Sequence, residues 1–202
     1  MESQLLLPAF YLPPISYFHA IKQQEGALVL ERFEHYPKQS YRTRAKIATA
    51  NGVLDLIVPI VHGRKERVAM KDIRINYEHD WQRLHWLSLQ TAYRSSAYFE
   101  YYEDDFYQFY DRQHDFLFDF NVAQLELLLK CFKINRAITL SEGYESSIAP
   151  VDFRTDIHPK KGNFWAEQPN YYQVFEERHG FLSDLSAIDL LFNQGPQSKN
   201  FL

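Results

Sequence analysis

The fold prediction starts from the stretch Tyr41-Arg-Thr-Arg-Ala-Lys-Ile-Ala-Thr-Ala-Asn-Gly-Val-Leu-Asp-Leu-Ile-Val-Pro-Ile60, which contains the strongest local signal in the chain. An Asn-Gly pair between two apolar runs favours a type I′ turn that joins adjacent antiparallel strands. Taking this pair as the loop places Ile47 opposite Leu56. The register then gathers a core face from Tyr41, Thr43, Ala45, Ile47, Leu56, Val58 and Ile60.

The opposite face of this hairpin carries a row of cations, Arg42, Arg44 and Lys46. Side chains two residues apart on a strand point the same way and lie about 6.6 Å apart. Such a row has the geometry to hold a diphosphate or a carboxylate. Glu31 and Glu34 lie upstream, close enough in the chain to fold over it. The alternative is that the row is only the solvated face of a half-buried hairpin, which is common on exposed strands.

The composition of the 202-residue chain indicates one well-cored domain over residues 1–202. A net charge of −4 and a pI near 6.1 argue against general nucleic-acid binding. The single cysteine excludes a disulfide framework and any CxxC site. No apolar run approaches the roughly 20 residues that a membrane helix needs, and the N-terminus is a poor signal peptide. A cytoplasmic location is therefore expected.

Apolar runs and helical periodicity divide the rest of the chain into strands followed by helices. Short strands are predicted over residues 5–7, 27–30, 68–76 and 136–140. Amphipathic helices are predicted over residues 81–93, 97–114, 122–132 and 185–192. This order favours an α+β fold. We expect an antiparallel-rich sheet, made of the N-terminal strands and the 41–61 hairpin, packed by a C-terminal helical cluster.

His85 lies on the predicted inner face of the 81–93 helix, together with Trp81, Leu84, Ser88 and Ala92. An ionisable ring is unexpected there. Because a neutral imidazole can exchange a proton near physiological pH, His85 is a candidate general base. The alternative is a core histidine that bonds to one backbone or tyrosine partner.

The other chemistry-bearing residues favour packing over catalysis. Aromatic residues make up 16% of the chain, and most of them fall on helical stripes. Cys131 sits on a leucine-rich helix, which predicts a buried and inert thiol. The chain contains no HExxH, Walker, dinucleotide or Gly-x-Ser-x-Gly motif. The sequence therefore indicates no metal site, and it specifies neither a cofactor nor an oligomeric state.

Several spaced motifs resemble the WbqC-like family. They are Pro8-x-x-Tyr11-Leu12-Pro13-x-x-x-Tyr17-Phe18, Glu31-x-x-Glu34-x-Tyr36-x-Lys38, Arg42-x-Arg44-x-Lys46-Ile47, Asn51-Gly52-x-Leu54-x-Leu56, Trp81-x-x-x-His85-x-x-x-Leu89 and Ser186-x-x-Asp189. Together they span nearly the whole chain. One departure is Thr43, where the family often has Asn.

The resemblance implies a role in bacterial surface-polysaccharide (O-antigen-type) biosynthesis, with transfer of an amino-acid or acyl group to a sugar. Carried over by position, the candidate site residues are Tyr11, Pro13, Lys38, Arg42, Arg44, Lys46, Asn51, Trp81, His85 and Tyr93. Of these we predict His85 as the catalytic residue, and Tyr11, Lys38, Arg42, Arg44, Lys46, Asn51, Trp81 and Tyr93 as substrate-binding residues.

Two functions from different classes are consistent with these residues. The first is a transferase that acts on a nucleotide-linked or lipid-linked sugar. The second is a non-catalytic protein of the same pathway, which binds a sugar nucleotide or a partner enzyme. A third, single-stranded nucleic-acid binding through basic and aromatic residues, is disfavoured by the acidic net charge.

Overall fold

The computed structural model describes residues 4–61, 67–144, 151–161, 165 and 167–202. Its strands are β1 (Gln4–Pro8), β2 (Ala27–Glu31), β3 (Arg44–Thr49), β4 (Gly52–Ile57), β5 (Ile138–Leu140) and β6 (Val151–Asp152). Its α-helices are α1 (Ile15–Gln23), α2 (Trp81–Tyr93), α3 (Phe99–Tyr107), α4 (Leu117–Cys131), α5 (Glu176–His179) and α6 (Ala187–Gln194). Short 3-10 helices cover Met70–Asp72 and Gly195–Phe201.

The main sheet has the strand order β5-β2-β1-β6, and every neighbouring pair in it is parallel. The fold is α+β, but the predicted antiparallel-rich sheet is wrong. Helix α1 carries the chain from the end of β1 back to the start of β2, and such a crossover makes the two strands parallel. The apolar runs 5–7 and 28–30 are buried throughout. Continuous apolar runs of this kind are typical of parallel strands that are covered on both faces.

The Asn-Gly hairpin forms a separate, two-stranded antiparallel sheet of β3 and β4. Its register differs by two residues from the predicted one, because Ile47 pairs with Leu54 and not with Leu56. Gly52 closes the turn with a φ of +100°, in the region that glycine adopts readily. Side chains on a strand alternate with a period of two, so a two-residue shift leaves each side chain on its predicted face. Ala45, Ile47 and Leu56 are accordingly buried.

Helix α6 lies at the centre of the helical layer, where it contacts α1, α2, α3 and α4. The predicted inner residues of the later helices are buried, which confirms the packing role of those stripes: Phe99, Tyr102, Phe106, Phe109, Tyr110, Leu125, Leu128, Leu129, Phe132, Leu185, Ile188, Asp189 and Phe192. Among the described residues, no helix combines the length and the apolar character needed to cross a lipid bilayer.

Besides the hairpin register, two local predictions are wrong. Leu84 is 58% exposed, whereas Trp86 and Leu89 are buried, so the inner face of α2 is rotated by about one residue from the predicted face. The predicted 68–76 strand is not a strand. Its backbone forms the 3-10 helix Met70–Asp72 and isolated bridges, such as the one between Ile60 and Ile75.

Candidate functional site

A cleft of about 610 Å³ opens at the carboxyl ends of the parallel strands. Strand β2 ends at Glu31 and β6 ends at Asp152, on opposite sides of β1. Crevices outside the carboxyl ends of parallel strands are the usual ligand sites of open sheets. The residues that line this cleft are Glu34, His35, Pro37, Arg42, Tyr144, Asp152, Arg154, Thr155, His158, Lys160 and Lys161.

The floor of the cleft is a buried ion pair between Glu34 and Arg42. The Nε and Nη2 groups of Arg42 donate to the two carboxylate oxygens of Glu34, each at 2.6 Å. Burial raises the pKa of Glu34, although the charge and hydrogen bonds of Arg42 act in the opposite direction. Helix α4 positions the arginine, because the Asn121 amide donates to the Arg42 carbonyl oxygen at 2.8 Å.

One donor group of Arg42 has no hydrogen-bond partner among the described residues. It is only 2% exposed, yet it lines the cleft. Its Nη2 also donates to the Arg154 carbonyl oxygen at 3.3 Å, but its Nη1 makes no hydrogen bond with any described residue. A buried guanidinium with unsatisfied N–H groups is a ready donor for a phosphate or carboxylate oxygen.

A second ion pair forms the neighbouring wall. The Nη2 group of Arg154 donates to Asp152 Oδ2 at 2.6 Å, and its Nε donates to both Asp152 oxygens at 3.0 Å. Its Nη1 lies 3.4 Å from Oε2 of the buried Glu31. Burial alone would raise the pKa of Asp152, but the hydrogen bonds and charge of Arg154 outweigh it and hold that pKa below its usual value. These contacts fix the guanidinium of Arg154 in one place.

Two imidazoles stand at the cleft. The backbone N–H of Lys160 donates to His158 Nδ1 at 3.1 Å, so the neutral ring carries its proton on Nε2. Burial, followed by the charges of Lys160, Arg42 and Lys161, lowers the pKa of His158. His35 is exposed, and its ring forms no hydrogen bond within the described parts of the chain.

The side chains that line the cleft carry more positive than negative formal charge. Four cationic side chains and two carboxylates line it, and the buried Glu31 lies beneath them. Lys160 forms no ion pair with a described residue, and the Lys161 ammonium is 4.0 Å from Asp156. An excess of positive charge in a concave site attracts anions. Across the residues that the structure describes, no group of three or more His, Cys, Asp or Glu is arranged to hold a metal ion.

Three of the predicted site residues lie together in the core, away from this cleft. The Tyr11 hydroxyl is 2.9 Å from His85 Nδ1 and 2.9 Å from the Tyr110 hydroxyl. The Trp81 ring packs edge-on against His85, with ring centroids 5.0 Å apart. Burial lowers the pKa of His85 to about 4, although a backbone hydrogen bond with Ile57 raises it. His85 is not among the residues that line the cleft, and its role as a general base stays a prediction.

The structure separates the predicted cationic row. Arg42 precedes β3 and pairs with Glu34, one of the two acids expected to fold over the row. Arg44 is half-buried, and its Nη1 lies 3.8 Å from Asp55 on β4. The Lys46 ammonium donates to the Pro159 carbonyl oxygen at 3.5 Å, so it ties β3 to the loop that carries His158 and Lys160.

The remaining predicted site residues lie in three other places. Tyr93 is buried, and its hydroxyl donates to Asp189 Oδ1 at 2.9 Å. Asn51 lies in the hairpin turn and lines an apolar groove that includes Leu84 and Leu87. Lys38 is exposed and lies outside the lining of the cleft.

The sequence-based prediction missed the residues at the end of β6 and after it. Asp152, Arg154, His158 and the two adjacent lysines fall in a stretch that has no clear periodicity. The spacing of strand, helix and strand over residues 4–31 was the available signal. It predicts parallel strands, whose carboxyl ends then share one edge. Strand β6 is two residues long and gives no periodic signal of its own.

Comparisons with known proteins match this part of the chain. The sequence profile of the WbqC-like protein family matches residues 9–162, which include all the residues that line the cleft. One relative, Uncharacterized protein Rv1507c of Mycobacterium tuberculosis, is 24% identical over 229 residues, with 100% of this chain and 98% of that protein covered. No solved structure gives a significant match. Since the family profile covers well over half of the chain, the protein belongs to the WbqC-like family.

Proposed function

We propose that the protein is a cytoplasmic transferase of bacterial surface-polysaccharide biosynthesis, which moves an amino-acid or acyl group to a sugar. The observation that carries the proposal is the cation-lined cleft at the carboxyl ends of the parallel strands, where Nη1 of Arg42 makes no hydrogen bond with a described residue. Activated sugars carry a diphosphate, and arginine and lysine are the side chains best suited to bind phosphate oxygens.

In the proposed reaction, Arg42, Lys160 and Lys161 hold the phosphates of the sugar substrate. Its amine or hydroxyl then lies beside an acyl or aminoacyl thioester, the activated donor. The sugar nucleophile attacks the acyl carbonyl carbon, a C–N or C–O bond forms, and the C–S bond breaks. The thiolate leaves with the electron pair of that bond, and a base takes the proton of the nucleophile. Holding both reactants in one cleft supplies the advantage of proximity.

We assign His35 as the proton acceptor within the cleft. Its ring is exposed and has no hydrogen-bond partner among the described residues. An accessible imidazole within reach of the substrate can act as a general base. His158 is less suited, because its Nδ1 already accepts a hydrogen bond from the Lys160 backbone. The sequence-based candidate His85 is tested beside it.

One observation also favours a second function, that of a non-catalytic protein that binds a sugar nucleotide or a partner enzyme. Both carboxylates that line the cleft are already paired with arginines, Glu34 with Arg42 and Asp152 with Arg154. A protein that only binds an anion needs fixed hydrogen-bond donors, and it does not need a free carboxylate to act as a base. The same residues therefore suit a binding protein of the pathway.

Anion binding is the first test, by calorimetric titration with inorganic pyrophosphate. We expect the wild type to bind and Lys160→Ala to bind about tenfold more weakly, the equivalent of one charged contact. Lys130→Ala removes an exposed lysine of α4 that does not line the cleft and serves as the matched control. Equal affinity in all three proteins, or no binding at all, would contradict the assignment of the cleft.

Single-turnover experiments separate the two functions. The protein is mixed with nucleotide sugars and acyl or aminoacyl thioesters, and acylated sugar is detected by mass spectrometry. For a transferase, His35→Gln should slow product formation about a hundredfold or more and leave pyrophosphate binding intact. A loss of product in His85→Gln alone would instead assign the base to the buried ring. Ligand binding without product in any reaction would favour the binding protein.

A further inference from the structure

We infer that the cleft takes a nucleoside diphosphate, so that the sugar substrate is nucleotide-linked and not lipid-linked, and that Tyr144 is the platform on which the base stacks. The inference rests on the proposed function, because it names the substrate class of the same site. It depends on the position of Tyr144, on the chemistry of the other lining residues and on the size of the cleft.

Tyr144 presents an open aromatic face at the cleft. The Arg154 guanidinium carbon lies 5.4 Å from the centroid of the Tyr144 ring, so one side of the ring is in cation–π contact. Tyr144 is nevertheless 60% exposed, although it lines the cleft. The ring therefore has a supported inner side and a solvent-facing outer side.

The support beneath Tyr144 is rigid. The Arg154 side chain is 9% exposed and is held by Asp152 through Nε and Nη2, and by Glu31 through Nη1. A tyrosine has few rotatable bonds, so stacking on a fixed guanidinium leaves little freedom to lose when a second ring stacks on it. Tyrosine and arginine are the side chains on which nucleic-acid bases commonly stack.

The cations that suit a diphosphate lie in the same cleft. Lys160, Lys161 and Arg42 belong to its lining, and Nη1 of Arg42 makes no hydrogen bond with a described residue. The cleft volume of about 610 Å³ falls within the usual range for small-molecule sites, about 300 to 1,000 Å³. A base on Tyr144 and phosphates on the cationic residues would thus share one cavity of ordinary size.

The lining argues against an isoprenoid-linked sugar. Apart from Tyr144 and Pro37, the described residues around the cleft are all charged or polar. A lipid chain would contact almost no apolar side chain there, and the burial of charged groups by hydrocarbon is costly. A polar nucleoside meets no such penalty.

The test compares three probes by calorimetric titration: uridine diphosphate, inorganic pyrophosphate and farnesyl diphosphate. We expect the wild type to bind uridine diphosphate about tenfold or more tightly than pyrophosphate, which is the gain from one stacked base. Tyr144→Ala should remove that difference, and Tyr144→Phe should retain it. Tyr101→Ala, which removes an exposed tyrosine of α3 outside the cleft, is the matched control and should behave as the wild type.

The outcomes distinguish this inference from the function on which it rests. If pyrophosphate binds but uridine diphosphate binds no more tightly, the base platform is refuted and the anion cleft stands. Tighter binding of farnesyl diphosphate than of uridine diphosphate refutes the nucleotide in favour of a lipid-linked substrate. If none of the three probes binds, the proposed function fails as well. A preference for uridine diphosphate that persists in a folded Tyr144→Ala variant refutes the assignment of Tyr144.

Discussion

Replacing His85 with glutamine should change how the stability of the protein depends on pH. Burial lowers the pKa of His85 from 6.5 to about 4, even though a backbone hydrogen bond with Ile57 raises it. Between these two values the unfolded chain binds a proton that the folded chain excludes. The contribution of the neutral His85 ring to the free energy of unfolding is therefore fully present above pH 6.5. It is lost as the pH falls toward 4.

The size of the effect follows from the shift. One unit of pKa corresponds to about 1.4 kcal/mol, so His85 accounts for a loss of about 3 kcal/mol over the whole range. About 2 kcal/mol of this loss should occur by pH 5, which is still above the pKa of His85 in the folded protein. His85→Gln has no titrating group at this position and should lack this part of the pH dependence.

The assay is urea unfolding at pH 7.5 and pH 5.0, followed by tryptophan fluorescence and far-UV circular dichroism. Glutamine keeps an acceptor for the Tyr11 hydroxyl and a donor for the Ile57 backbone, so the variant is expected to fold. His79→Gln removes an exposed imidazole just before α2 and controls for the loss of a histidine as such. Imidazole NMR signals across the same pH range report the His85 titration directly.

A His85 signal that titrates near pH 6.5 would refute this account. The same holds if His85→Gln and the wild type lose equal stability between pH 7.5 and pH 5.0. Either result would mean that the ring is accessible to water, which would favour the sequence-based prediction of a general base. An NMR titration midpoint near pH 4 would show that the His85 ring is neutral and enclosed at physiological pH.

Three further predictions concern the buried polar groups and the helix faces. Glu34→Gln leaves the Arg42 charge buried without its counter-ion and should lower the free energy of unfolding by about 3–5 kcal/mol. The double variant with Arg42→Met should recover most of this loss, and urea and thermal unfolding of the single and the double variant measure it. Burial raises the pKa of Asp189 from 3.8 to about 6, despite hydrogen bonds from Tyr171 and Tyr93. The stability that the protonated carboxyl contributes at low pH is lost as the pH rises through 6, so Asp189→Asn should remove a fall of about 2 kcal/mol between pH 4 and pH 7. Leu89→Ala should cost about 2–5 kcal/mol and Leu84→Ala less than about 0.5 kcal/mol, and equal costs would show that the face of α2 is wrongly assigned.

Local patterns predicted the longer helices, the hairpin and the apolar strands of the main sheet, but not β6, and they wrongly predicted a strand over residues 68–76. The periodicity of α2, α3, α4 and α6 is carried by their own residues, and the Asn-Gly pair specifies a turn within four positions. A register error of two residues did no harm, because it preserves the faces of both strands. The parallel sheet was missed since strand direction depends on the crossover between strands, which no single run of residues encodes.

The site was less predictable than the elements. Arg42 and Glu34 are eight residues apart, so the chain between them can bring them together locally, and their approach was expected. Arg154 and Tyr144 reach the same cleft from positions more than 100 residues further along the chain. The pattern around His85 does not distinguish two roles, because an inward-facing histidine at helical spacing looks the same whether it contacts a substrate or only protein groups. In the structure its ring contacts a tyrosine hydroxyl and a backbone group, and its role as a general base stays a prediction.

The sequence by itself determined helices α2, α3, α4 and α6, the hairpin, the aromatic packing stripes and, through its spaced motifs, the WbqC-like family. Only the tertiary structure decided that the N-terminal strands are parallel, that His85 is enclosed and that the cationic row is divided among three environments. The physical reason is that periodicity records which side of an element is buried, whereas a cleft forms where the ends of distant strands converge. The residues that line the cleft lie at one edge of the sheet, but no periodicity along the sequence relates them to one another.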